Sequence, residues 1–188
     1  MQLDLPSSRI RSWRPGDEES LVREADNRNI WRTVRDRFPH PYTRAHADAW
    51  IVRATSDLPE THFAIDVAGE AVGGIGLDLQ EDVARYSAEL GYWLGEAYWG
   101  RGIMTAAVSR FTEYAFRTFE LCRIYALVFE TNPASFRVLE RAGYALEGRL
   151  RRAVYKDGRI LDQYLYAVSQ DARLPHPPSC GGMDIAPS

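Results

Sequence analysis

The spacing of hydrophobic positions changes several times along the chain, and each change predicts an element of secondary structure. From residue 62 onward, HFAIDV and EAVGGIGLDL predict two strands joined by a hairpin turn at Ala68-Gly69. SAELGYWL, residues 87–94, predicts a further strand. Before them, Thr43 is a predicted N-cap, because apolar residues recur after it at helical spacing: Ala47, Trp50, Ile51 and Ala54.

The second half of the chain again alternates between helix and strand patterns. Helical spacing predicts a helix from about Ile103 to Phe119, and the apolar stretch CRIYALVF after it predicts a buried strand. Asn132 is a predicted N-cap for a short helix that stops at Gly143. Asp157-Gly158 predicts the turn of a last hairpin, whose final strand is predicted over Gln163 to Val168. Together the elements predict one α/β (α+β) domain, residues 1–174, with a single mostly antiparallel mixed sheet flanked by helices.

Composition and charge narrow the class of protein. Hydrophobic residues make up 45% of the 188 residues and charged residues 26%, as in an ordinary globular protein. The net charge of −3 argues against nucleic-acid binding, which favours a basic excess. The sequence contains neither the roughly 18 apolar residues of a membrane span nor the apolar core of a secretory signal. We therefore expect a cytoplasmic protein that binds neither nucleic acid nor membrane.

Cysteine and histidine positions predict neither a disulfide framework nor a metal site. The two cysteines are Cys122 and Cys180, and the four histidines do not follow metal-ligand spacing. Cys180 belongs to residues 175–188, whose Pro/Gly-rich composition predicts a disordered tail. We expect no metal in this protein.

Two glycines with one arginine between them stand at the predicted start of a long helix, in YWGRGIMTAA. A helix N-terminus presents unpaired N–H groups and the positive end of its dipole, and glycine lets a phosphate approach the backbone. Gly100 and Gly102 therefore predict an anion site with Arg101 at its rim, although such a pair is also compatible with a simple turn. The pattern lacks the Gly-Lys-Ser/Thr of a P-loop, and Thr105 breaks the dinucleotide fingerprint.

A second motif follows thirty residues later, in ETNPASFRVLERAGY. The two motifs together resemble those of the GNAT superfamily of acetyl-CoA-dependent N-acetyltransferases, which are R/Q-x-x-G-x-G/A and N-x-x-A/S…G-F/Y. The resemblance runs from about Arg9 to Val168. RIRSWRPGDEESL, FPHPYT and LGYWLGEAYWGRGIMTAA are similar to the branch that acetylates ribosomal-protein N-termini at alanine or serine. The resemblance implies a GNAT fold with a splayed central strand pair and acetyl-CoA as co-substrate. A homodimer, which is common in the superfamily, is also implied.

The resemblance also implies which residues bind acetyl-CoA. Pantetheine is expected along the strand that ends at Trp93 and Leu94, where a backbone N–H near Leu94 acts as the oxyanion donor. Asn132 is expected to contact the cofactor as well as to cap its helix. The Gln/Arg position of the first motif is Ala97, so the pyrophosphate depends on the backbone of the following residues: Tyr98, Trp99, Gly100, Arg101, Gly102 and Ile103.

Two residues are implied to be catalytic. Glu89 corresponds to the glutamate that serves as general base in many members, although a carboxylate there is equally compatible with an exposed strand face. Ser135 is the candidate proton donor to the CoA thiolate, because the tyrosine position of other members is Leu139; its alternative role is to help cap the helix. The branch's late glutamate position is Val154, so the base is either Glu89 or solvent.

The acceptor amine is expected beside the irregular proline-containing loop. Trp31, Arg35, Phe38 and Tyr42 are candidates for its wall, although Trp31 and Phe38 are also well suited to packing the N-terminal helices. The implied reaction is direct transfer of acetyl to a primary amine, either a protein N-terminus or a small molecule. The alternative is a non-catalytic acyl-CoA-binding regulatory module on the same fold, since Leu139 and Val154 depart from the family pattern.

Overall fold

The computed structural model describes residues 1–170 and contains one eight-stranded sheet. In chain order its strands are β1 (Gln2–Asp4), β2 (Arg9–Ser12), β3 (His62–Val67), β4 (Glu70–Leu79), β5 (Ser87–Leu94), β6 (Arg123–Phe129), β7 (Ala145–Lys156) and β8 (Arg159–Ser169). They lie side by side in the order β1-β2-β3-β4-β5-β6-β8-β7. Every neighbouring pair is antiparallel except β5 and β6, which are parallel.

Five helices pack on the sheet and build a separate core on each face. They are α1 (Glu18–Ala25), α2 (Arg28–Trp31), α3 (Arg44–Ser56), α4 (Ile103–Thr118) and α5 (Pro133–Arg141). On one face, α1 and α3 bury Leu21 and Ile51 together with Trp13. On the other face, α4 and α5 bury Phe111 and Leu139 against the central strands. The predicted α/β domain with a mostly antiparallel sheet is therefore confirmed.

The central strands separate after a short common stretch. β5 and β6 form only three residue pairs, from Ser87–Glu89 to Arg123–Tyr125. Beyond Glu89, no described strand pairs with this edge of β5, while β6 continues along β8 as far as Phe129. The result is a wedge-shaped gap through the middle of the sheet, as the resemblance implied.

Local sequence signals place most helix ends correctly. Thr43 caps α3 in a reciprocal capping box with His46, and Asn132 caps α5 by accepting a hydrogen bond from the amide of Ser135. The prediction omits β1, α2 and most of β7, and it starts the last strand at Gln163, whereas β8 begins at Arg159. β7 is an edge strand whose side chains are mostly exposed, so it lacks the apolar alternation of a half-buried strand. The predicted tail, residues 175–188, lies outside the described residues.

Candidate active site

A cavity of about 830 Å³ opens where β5 and β6 separate. One wall comes from β5 and the opposite wall from β6, and the glycine loop before α4 and the first turn of α5 complete it. The segment between α2 and α3, residues 32–43, covers its other end. The cavity thus brings together sequence motifs that are distant in the chain.

Backbone polar groups of β5 point into this gap. The amide of Gly95 donates to the carbonyl of Val72 at 2.8 Å, and the amide of Gln80 donates to the carbonyl of Ser87 at 3.0 Å, so odd-numbered residues of β5 bond to β4. Because successive residues of a strand direct their N–H and C=O groups to opposite neighbours, the even-numbered ones face the gap: Leu90, Tyr92 and Leu94. Their N–H groups, and the carbonyl groups of Leu90 and Tyr92, are available to an extended amide-containing ligand, and the N–H groups also to a carbonyl oxygen.

The glycine loop begins α4 with a left-handed backbone. Gly100 has φ of 72° and Gly102, the N-cap residue, has φ of 76°, a region that favours glycine. A Cβ at either position would meet no heavy atom within 4 Å, so open space lies beside both. Within residues 1–170, no side chain caps the first turn of α4, which leaves its N–H groups free for an anion.

Aromatic residues hold this loop against the end of β5. The indole Nε1 of Trp99 donates to the carbonyl oxygen of Leu94 at 2.7 Å. Arg101 is exposed, and its guanidinium lies 5.4 Å from the ring centre of Tyr98. Arg101 therefore lies outside the cavity lining, whereas Gly100, Gly102 and Ile103 belong to it.

A hydrogen-bonded hydroxyl pair lies on the wall next to α5. The hydroxyl of Tyr92 is 2.5 Å from that of Ser135, and the amide of Ser135 donates to Oδ1 of Asn132 at 3.2 Å. Burial raises the pKa of Tyr92 above its ordinary value, partly offset by the bond to Ser135, so the phenol stays protonated at neutral pH. Between them the two hydroxyls carry two protons, and their mutual bond uses one. The other can be donated to a third atom.

Sequence reasoning missed Tyr92, because its contact with Ser135 spans 43 residues of chain. Leu139, at the position where the resemblance implies a tyrosine, is fully buried in the core next to α4. The only available signal was alternation along β5, which places Tyr92 and Glu89 on opposite faces of the strand.

The opposite face of the sheet carries a pair of carboxylates. Glu89 and Asp78 are direct partners on β5 and β4. Glu89 accepts a hydrogen bond from Arg35, and Asp78 accepts one from Arg37. The contact with His62, at 3.6 Å, and the bond from Arg37 together hold the pKa of Asp78 well below its usual range, against the opposing effect of burial. Asp78 is therefore charged at neutral pH, and both carboxylates are paired with arginines.

The space between Glu89 and Trp93 on this face is open. Gly91 lies between them on β5, and a Cβ at Gly91 would meet nothing within 4 Å. Phe38 packs its ring against Trp93, with 5.4 Å between the ring centres, and also contacts Tyr42. Gly91 thus forms a floor without side chains under the acceptor end of the cavity.

The predicted acceptor residues divide into two groups. Arg35, Phe38 and Tyr42 line the cavity, although Tyr42 is largely buried, which raises its pKa to about 12. Trp31 does not line it. Its ring instead contacts the ammonium of Lys156, which lies 3.8 Å from the ring centre.

Other sequence features lie outside the cavity. Arg149 donates to Asp162 at 2.5 Å, and the backbone amide of Arg152 donates to the same carboxylate. Among residues 1–170, no group of three metal-ligating side chains occurs. No helix in the same range is long and apolar enough to cross a bilayer.

Comparison with known proteins assigns the family. The model of the acetyltransferase (GNAT) domain matches residues 8–145. A probable N-acetyltransferase of Bacillus subtilis (strain 168) is 33% identical over 158 residues, covering 80% of this chain and 87% of the relative. Spermidine N(1)-acetyltransferase of Escherichia coli (strain K12) is 24% identical over 90% of this chain and 91% of its own.

A solved structure extends the comparison to the fold. It is a ribosomal-protein alpha-N-acetyltransferase in complex with coenzyme A, with a TM-score of 0.81 and 20% identity. The match covers 91% of this chain and 99% of that one. Both the sequence motifs and the sheet with its splayed central strands agree with these matches. The chain therefore belongs to the GNAT acetyltransferase family, and it is an acetyl-CoA-dependent N-acetyltransferase.

Proposed function

We propose that this enzyme transfers acetyl from acetyl-CoA directly to a primary amine that enters the gap between β5 and β6 from the side of Glu89. The observation that carries this proposal is the position of the two chemical groups on β5. Glu89 faces one side of the sheet and the Tyr92–Ser135 pair faces the other. A base on the acceptor side and a proton donor on the cofactor side are what a one-step transfer requires.

The chain offers acetyl-CoA three kinds of contact. The N–H groups at the start of α4 suit the pyrophosphate, because the glycine loop leaves space beside them. The gap-facing backbone groups of β5 suit the pantetheine amides. Asn132, whose side chain already binds the amide of Ser135, lies on the same wall.

Glu89 prepares the amine for attack. An alkyl ammonium has a pKa of about 10.4 and an α-ammonium of about 8, so a proton must leave before the nitrogen can react. Glu89 takes this proton, directly or through a water molecule. An N–H group near Leu94 donates to the carbonyl oxygen as negative charge develops, which lowers the barrier by about 3 kcal/mol.

The Tyr92–Ser135 pair completes the proton balance. The new C–N bond forms as the C–S bond breaks, and the departing sulfur takes a proton from the hydroxyl pair. The substrate nitrogen loses two protons in the whole reaction. Glu89 passes the first to solvent, and the second, released as the amide forms, replaces the proton that the hydroxyl pair gave to the thiolate. No covalent intermediate on the enzyme is needed.

A thiol-release assay tests this proposal. The protein is incubated with acetyl-CoA and a panel of primary amines, including peptides with free N-termini, and free CoA is measured with a chromogenic disulfide while calorimetry reports acetyl-CoA binding. We expect release that depends on the amine and a product heavier by one acetyl group. Binding of acetyl-CoA without turnover of any amine would favour the non-catalytic module instead.

A further inference from the structure

Glu89, the carboxylate proposed as the base, already forms an ion pair with an arginine. Glu89 is only 15% exposed, and Arg35 binds it, although the Arg35 side chain is itself 43% exposed. One strand away, Arg37 binds Asp78 in the same manner. Both arginines come from the irregular segment between α2 and α3, whereas both carboxylates lie on sheet strands. An incoming ammonium therefore meets guanidinium groups before it meets Glu89.

The pairing has an electrostatic cause. Like charges directly opposite on neighbouring strands destabilise a sheet, and Asp78 and Glu89 are such a pair. Arg35 and Arg37 neutralise them. Arg32 and Arg53 also line the cavity, but they pair with Asp157 at 3.8 Å and with Asp57 at 3.7 Å. A purely cationic substrate that binds Glu89 would leave Arg35 without its partner next to the new positive charge.

A substrate with both charges resolves this conflict. If a carboxylate lies a few bonds from the ammonium, Arg35 can release Glu89 and bind the substrate carboxylate through its planar fork. Arg37 keeps its bond to Asp78 and donates to the same substrate carboxylate with its remaining N–H groups. Glu89 is then free to bind the ammonium and accept its proton, so neither Glu89, Asp78 nor the arginines are left without a partner.

From this arrangement we infer that the acceptor is an amine with a neighbouring carboxylate, which Arg35 and Arg37 bind. The inference rests on the proposed transfer to a primary amine and deepens it by naming the acceptor class. Two sources share this chemistry: a free amino acid, and a peptide N-terminus followed by an acidic side chain. Arg37 is then a specificity-determining residue, because it touches the acceptor at a distance from the reacting atoms.

Matched acceptors distinguish the sources. Alanine is compared with alaninamide, and the C-terminally amidated peptide Ala-Asp-Gly-Gly with amidated Ala-Asn-Gly-Gly, each by kcat/KM from CoA release, with spermidine as a cationic reference. We expect the acidic member of at least one pair to be better by about tenfold, the usual effect of a charge-assisted bond. In the alanine pair, the carboxylate makes the amine more basic, so intrinsic reactivity at neutral pH favours the amide. A preference for alanine therefore reports binding.

Two variants test whether Arg37 is responsible for the preference for acidic acceptors. In Arg37→Gln we expect the acidic-to-neutral ratio to fall towards one, while the Kd for acetyl-CoA stays unchanged. The matched control is Arg53→Gln, because Arg53 lines the same cavity but pairs with Asp57 on its own helix, at 3.7 Å. This control should keep the wild-type ratio. Thermal melts check that both variants fold.

The outcomes separate the two proposals. If neutral and acidic acceptors react equally, or spermidine reacts best, the acceptor inference is wrong and direct transfer to an amine stands. If Arg53→Gln reduces the ratio as much as Arg37→Gln does, general charge and not a binding contact is responsible, which also overturns the inference. If acetyl-CoA binds and no amine is acetylated, the proposed function fails, and the acceptor inference fails with it.

Discussion

Two arginine–carboxylate clusters in this molecule use the same chemistry in opposite ways. Arg11 donates to Asp66 at 2.7 Å and to the two oxygens of Asp17 at 2.7 and 2.8 Å, and all three side chains are buried. The pairs of Arg35 with Glu89 and Arg37 with Asp78 are half exposed, and their arginines come from an irregular segment. The first cluster ties β2 to α1 and β3, whereas the second lies in the cavity and can exchange partners.

The difference lies in what replaces the arginine when it leaves. In the buried cluster only Arg14, whose side chain is 57% exposed, stays near Asp17, at 3.6 Å, and Asp66 would remain without water or a counter-charge. In the cavity, solvent or a substrate can take the position. The same kind of arginine–carboxylate pair therefore stabilises the fold in the buried cluster and permits ligand binding in the cavity.

The largest expected effect comes from breaking the buried cluster. Arg11→Met should lower the free energy of unfolding by about 3 to 5 kcal/mol, because Asp66 loses its counter-charge and Asp17 keeps only the more distant, exposed Arg14. Chemical denaturation measures this loss. Arg37→Gln, which breaks a half-exposed pair, should cost less than about 1 kcal/mol in the same experiment. Equal losses in the two variants would remove the distinction between the clusters.

A smaller effect is expected on the cofactor side of β5. Ser135→Ala and Tyr92→Phe should each lower kcat about tenfold or more, because the thiolate loses its proton donor or that donor's partner. Since the two hydroxyls act as one unit, the double variant should be little worse than the worse single one. Strictly multiplicative losses would show that the two hydroxyls act independently.

A methyl group at the floor of the acceptor site should affect the acceptor alone. Gly91→Ala places a Cβ in open space, where no heavy atom lies within 4 Å, so folding should be preserved. We expect the KM for the amine to rise several-fold and the Kd for acetyl-CoA to stay constant. A change confined to acetyl-CoA binding would mean that the cofactor occupies this space.

The smallest effect concerns pH and Asp78. Its carboxyl pKa is lowered in the folded protein by His62 and Arg37, so it contributes stability above the unfolded pKa of about 3.9. That contribution is lost as the pH falls from there towards the folded-state pKa. Asp78→Asn should therefore be less stable than wild type at pH 7, with a loss in the free energy of unfolding of less than about 1 kcal/mol. This loss should shrink below about pH 4. A difference that is constant with pH would exclude this ion pair as its cause.

Local signals in the sequence were sufficient for much of the scaffold. Thr43, Asn132 and the helical spacing before Phe119 define helices because capping and periodicity act within a few residues. α2 was missed because four residues are too few for a period. β7 was missed because an exposed edge strand needs no apolar face.

Only those parts of the site that belong to short contiguous motifs could be predicted from the sequence. The glycine loop and Asn132 could be found because each belongs to a short contiguous pattern. The contacts of Glu89 with Arg35, of Asp78 with Arg37 and of Tyr92 with Ser135 span 54, 41 and 43 residues. Such pairs depend on how the loop and α5 are placed against the sheet, which no local pattern encodes.

The most direct test of the account is the pH dependence of acetyl transfer in Glu89→Gln. With the best acceptor of the panel, single-turnover rates are measured from pH 6 to pH 9 for wild type and variant. We predict that the variant is about a hundredfold slower at pH 7 and that its rate rises roughly tenfold per pH unit until the free amine predominates, because it depends on amine already deprotonated in solution. If the variant matches wild type in both rate and pH dependence, solvent is the base and Glu89 is not catalytic.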